Sequence, residues 1–232
     1  MEPLTVTKIV LAVILVFVGV ISAYLEIKKN PDYWLNRFFA LFFTFASLGF
    51  FGYVLYHLIL NSSDWVIYIM VTTNILLNLC LACLLMTEFI LEFSEKKAMS
   101  PKFLFITFSL FLSSIFGYFI WTPTVDSENY ALGEVNTHTE PGLLIYISIY
   151  RLAIAFYVLI KFILLVKKAG DTRVRKQLRL FSIGMIFIIV GILLFLFGNV
   201  AGDIGIILEI IGQVSLNIGL IEILRGFLVK EK

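Results

Sequence analysis

An arginine interrupts a run of residues that otherwise reads as hydrocarbon. Residues 145–162 are IYISIYRLAIAFYVLIKF, with Arg151 inside. An arginine at the centre of a membrane helix costs roughly 2.5–3.5 kcal/mol on the insertion scale, so it faces a bundle interior and finds a partner. Other apolar runs hold polar residues too. Glu209, Gln213 and Asn217 follow one another four apart, which places them on one helix face. Asn74 and Asn78 share that spacing, and His57 lies near the end of a further run. The chemistry available to such a set is recognition rather than turnover. A guanidinium takes an anionic or polar group, and the amides complete its hydrogen bonds. Arg151 and Glu209 are the natural ion pair, which leaves two readings. The pair only fixes helix packing, or Arg151, Glu209, Gln213, Asn217, Asn74, Asn78 and His57 line a ligand site.

Other chemistries find no residues. Cys80 and Cys83 form a C-x-x-C string inside an apolar helix with no second ligand pair, which points to packing rather than metal or redox use. No Ser/His/Asp set, phosphate-binding loop or metal-ligand spacing is present. The last apolar run lacks the mid-span lysine that would hold retinal, and two histidines, one in a loop, exclude a bis-histidine haem. The chain is expected to be no enzyme, to need no cofactor and to bind no nucleic acid.

The elements that carry these residues are membrane spans. Of 232 residues, 60% are hydrophobic and 15% charged, and the mean hydropathy is +1.00. A soluble domain sits nearer half apolar and a quarter charged. Seven stretches reach the roughly 20 apolar residues a crossing helix needs: about 4–25, 34–60, 65–91, 103–121, 143–166, 178–199 and 204–224. They are continuously apolar rather than alternating, which excludes barrel strands. The start, MEPLTVTK, lacks the basic region of a secretory signal, so the first run is read as a retained span. The fold class expected is an all-α, seven-helix membrane bundle spanning residues 1–232 as one domain.

Charge gives the orientation. EIKKNPDYWLNR, SEKKAMSPK, VKKAGDTRVRKQLR and RGFLVKEK carry the basic residues, six of them in the third of these. The other three connections hold no Lys or Arg, only Asp64, Asp126, Glu128, Glu134, Glu140 and Asp203. Cytoplasmic loops carry the Lys/Arg excess, so the N-terminus is expected outside and the C-terminus inside, in a multi-pass protein of the cell membrane. At about 1.5 Å per residue, Arg151 lies about 12 Å below the outer surface, Glu209 about 8 Å, Asn74 and Asn78 about 14 and 20 Å, and His57 about 5 Å. Shared depth is what an outward pocket requires. Glu88 and Glu92 fall near the inner end of span three and read as interfacial anchors, and Lys161 is placed to snorkel. Gly205, Gly212 and Gly219 recur every seven residues and read as a packing seam. The 122–142 loop is expected to fold over the bundle mouth, with a turn at Leu132-Gly133.

In its second half the chain resembles the seven-transmembrane N-terminal sensor region of prokaryotic histidine kinases. The resemblance rests on a loop with His138 and on GLLIYISIYRLAIAFYVL. It rests also on the basic stretch RVRKQLRLFSIG, with Arg175, Gln177 and Gly184, and on Asp203 before the last span. It implies a sensor that binds an extracellular or lipid-derived ligand. Because the chain stops at Lys232 without a kinase region, it implies a stand-alone form signalling to a separate cytoplasmic protein. The alternatives are a small transporter or channel with a 3+1+3 helix arrangement, for which KKNPD and KKAGD occupy equivalent places, and an accessory subunit of a membrane complex. Membrane lipids are partners under every reading.

Overall fold

Hydrocarbon offers no water to backbone N–H and C=O groups, so a crossing segment must satisfy them within itself, as a helix does. In the structure, a computed structural model that describes residues 3–58, 63–124, 140–201 and 204–229, the apolar runs do so. The helices are α1 (Pro3–Lys29), α2 (Trp34–Leu58), α3 (Ser63–Phe93), α4 (Glu95–Ala98), α5 (Pro101–Ile120), α6 (Pro141–Lys168), α7 (Thr172–Gly198) and α8 (Gly205–Phe227). All but the one-turn α4 are long and apolar enough to cross a membrane, and no strand occurs among the described residues. The fold is an all-α seven-helix membrane bundle.

Local chemistry sets the ends. Pro3, Pro101 and Pro141 open their helices, where the missing N–H has no intrahelical partner to lose. The Asp171 side chain caps α7 by accepting from the Arg173 N–H at 2.6 Å. This cap starts α7 at Thr172, several residues ahead of the apolar run expected from 178, because a helix continues through its basic turns after the hydrocarbon ends. The same effect carries α1 to Lys29. Residues 59–62, 125–139 and 202–203 lie outside the described residues, and with them the Leu132-Gly133 turn of the expected lid, His138 and Asp203.

Six helices close a ring in the order α1, α2, α3, α6, α7, α8 and back to α1, and α5 packs outside it against α3 and α6. Peripheral α5 leaves Phe105, Phe108, Phe116 and Phe119 exposed on its outer face. The half of the ring near the basic loops is filled by phenyl rings from four helices. Phe39 and Phe227 stand 4.0 Å apart edge to face, Phe181 and Phe227 4.6 Å apart, and Phe162 packs on Phe181. Aromatic pairs of this geometry add packing energy beyond area alone.

α7 and α8 approach most closely. Gly184, Gly191 and Gly198 face Gly219, Gly212 and Gly205, and a Cβ on Gly219 would come within 2.8 Å of the Gly184 carbonyl oxygen. Ser215 uses the proximity to donate to the Phe187 carbonyl at 2.7 Å. The glycine seam read in α8 is therefore one side of a pair, and its counterpart is the equal spacing in α7.

Candidate functional site

A cavity of about 260 Å³ occupies the opposite half of the ring, at the end carrying the start of α1 and the α2–α3, α5–α6 and α7–α8 connections. By the charge rule this end is expected to face outward. Its apolar wall comes from Phe42, Ala46, Phe50, Leu77, Leu81 and Leu220. Its polar wall holds Lys8, His57, Asn74, Tyr118, Arg151 and Glu209. Four of the seven residues singled out by sequence thus border one space.

The expected Arg151–Glu209 pair is not formed. Arg151 Nε donates to Asn78 Oδ1 at 2.9 Å, and Nη2 donates to Asn74 Oδ1 at 2.8 Å and to the Asn74 carbonyl at 3.3 Å. Asn78 in turn donates to Ser114 Oγ of α5 at 3.2 Å, which ties the peripheral helix to the same network. Arg151 Nη1 makes no hydrogen bond among the described residues, and no carboxylate there is within ion-pair distance of the guanidinium. Glu209 instead pairs with Lys8 of α1. The reason is rotational: depth brought Glu209 level with Arg151, but α8 turns that face toward α1.

The remaining residues divide accordingly. His57 is buried, donates from Nδ1 to the Tyr53 carbonyl at 2.8 Å, and packs against the rings of both Tyr53 and Tyr56. Asn78, Gln213 and Asn217 do not border the cavity. Asn217 donates to the Leu11 and Gln213 carbonyls, joining α8 to α1. Gln213 is fully buried; the Tyr53 hydroxyl interacts with it, but its amide makes no hydrogen bond of ordinary geometry among the described residues. In the cavity wall, Thr73 Oγ1 and the Tyr118 hydroxyl are buried without a hydrogen-bond partner among the described residues. A buried polar group left unmade costs about 1–3 kcal/mol, so these hydroxyls mark where a bound molecule or water would be held.

Sequence reasoning missed Lys8, although it stands inside the first expected span at the depth of Glu209. A basic residue in an apolar run was the available signal. Near the inner end, the anchor role expected for Glu88 is corrected: its side chain is fully buried and does not reach the interface. Lys161, expected to snorkel, gives its ammonium to both oxygens of Glu92 at 2.7 Å. Cys80 and Cys83 are free, buried thiols, and no group of metal-binding side chains occurs among the described residues.

The fold and site together define a seven-helix, multi-pass membrane protein with a polar-walled cavity in one half of its bundle. No family model, curated protein or solved structure matches the chain.

Proposed function

We propose that this protein is a non-enzymatic, receptor-like module of the cell membrane. Its cavity binds a small amphiphile with one anionic head, extracellular or lipid-derived. It passes the bound state to a separate cytoplasmic protein through its basic inner loops. One observation carries the reading: Arg151 borders a cavity with only neutral partners. A guanidinium held by two asparagines keeps its whole positive charge, and an anion is what that charge lacks. The apolar wall accounts for the other end of the ligand. At roughly 30 Å³ per water-sized group, the cavity takes about nine non-hydrogen atoms, close to the size of a hexanoate or octanoate ion.

The packed phenyl rings of the inner half favour a dead-end site over a conducting path, which separates this reading from a transporter or channel. The resemblance to kinase sensor regions points the same way. Arg151 shares α6 with Lys167 and Lys168, so a ligand that binds two states of that helix unequally shifts their balance at the inner end.

The test uses a fluorescent probe at Thr172, an exposed position at the start of α7, in the full chain reconstituted in lipid nanodiscs. Octanoate is expected to change its emission, and octylammonium and octanol are not. Arg151→Gln is expected to abolish the response while the protein stays folded. Equal responses to octanoate and octylammonium, or no response to either, would remove the sensor reading and leave the accessory-subunit role.

A further inference from the structure

Glu88 takes no part in the cavity. It lies five residues from the end of α3, about 8 Å along the axis from the inner helix end. Its side chain is 0% exposed, and neither carboxyl oxygen makes a hydrogen bond of ordinary geometry among the described residues, although the Glu92 carboxyl and the Tyr157 hydroxyl approach it. One turn further on, Glu92 holds Lys161 with both oxygens. Glu92 and Tyr157 are the polar neighbours of Glu88, with Lys161 next, and Lys168 acts on Glu92 from the end of α6. The titratable groups that act on Glu88 among the described residues come from α3 and α6.

The cluster thus sets two carboxyl groups against one ammonium, and that ammonium already serves Glu92. A buried carboxylate without a hydrogen bond or counter-ion is too costly for helix packing to offset, and such a group neutralises instead. Two carboxyl groups sharing one site cannot both ionise without strong repulsion. We propose that Glu88 is a proton-binding site on the cytoplasmic side of the bundle, a carboxylic acid at neutral pH whose proton exchanges with inner water through Glu92 and Lys161. Those two side chains are partly exposed where Glu88 is not. Binding forms one O–H bond on Glu88 from a proton of cytoplasmic water, and release returns it. Release leaves two carboxylates one turn apart with a single ammonium, which draws Lys161 between them and shifts the inner part of α6 against α3. The same two helices hold Arg151 on Asn74 and Asn78, and along them between the two sites Leu84, Leu85, Ala155 and Val158 are buried. Proton binding at Glu88 requires no occupant in the cavity.

Infrared spectroscopy of the full chain in nanodiscs reads the proton directly. In the wild-type minus Glu88→Gln difference at neutral pH, the C=O stretch of a protonated carboxyl is expected, and alkaline titration should remove it. Glu26, the other buried carboxyl among the described residues, cancels in that difference. A difference with carboxylate bands alone would show Glu88 ionised and overturn the proposal. So would a band that sodium or potassium displaces. Glu92→Gln provides a second variant: with Lys161 released, Glu88 is expected to ionise and the band to disappear in folded protein. Persistence of the band there would equally overturn the assignment.

Discussion

Lys8 and Glu209 meet across α1 and α8 with side chains 11% and 17% exposed. Removing one partner of a buried pair typically costs about 3–5 kcal/mol, because the survivor is left uncompensated. Lys8→Met and Glu209→Leu are each expected to lower the thermal stability of the detergent-solubilised protein more than the double substitution does. Additive losses would mean that the two charges do not depend on each other. The pair Arg151→Met and Glu209→Leu serves as the contrast and should be additive within about 0.5 kcal/mol, as for groups without shared partners. At this scale the sequence located the charges but not their partners. Arg151, Asn74 and Asn78 were legible as polar residues of similar depth. That the asparagines serve the arginine, and that Lys8 takes Glu209, depends on which way each helix faces.

Between α7 and α8 the contact is backbone to backbone, since lipid supplies no hydrophobic drive and close approach must come from small residues. Gly219→Val would place a Cβ within 2.8 Å of the Gly184 carbonyl oxygen and within 2.9 Å of the Ile188 side chain. Overpacking of this kind typically costs about 1–3 kcal/mol, read as a lowered unfolding temperature. Gly170→Ala is the control: nothing lies within 4 Å of its added Cβ, and no such loss is expected. An equal loss from both would remove the glycine seam as the source of the cost. The seven-residue spacing was visible in both helices. Only their antiparallel meeting shows that Gly191 faces Gly212 and Gly198 faces Gly205.

For the whole bundle the orientation is the first thing to establish. Among the described residues the basic side chains lie toward the end of the ring opposite the cavity, Lys8 and Arg151 excepted, so by the positive-inside rule the cavity is expected outside. In a background lacking Cys80 and Cys83, a cysteine at Thr124 is expected to react with an impermeant maleimide on intact cells, and one at Lys96 is not. Both positions are exposed in the structure. Labelling at 96 with protection at 124 would reverse the orientation, place the cavity inside and place the Glu88 cluster outside.

Hydropathy and charge are properties of single residues against water and hydrocarbon, and so the linear chain carried what depends on them. It determined seven spans, their depth, the basic and acidic sides, and the polar residues that stay in the membrane. Helix ends departed from it where capping, as at Asp171, or basic turns extended a helix beyond the oil. What the tertiary structure alone decided is rotation and neighbourhood. Depth along a helix follows from residue number, whereas the direction a side chain faces follows from how seven cylinders pack. That packing set α1 against α8, gave Glu209 to Lys8, left Arg151 with neutral partners beside a cavity, and buried Glu88 out of reach of the interface.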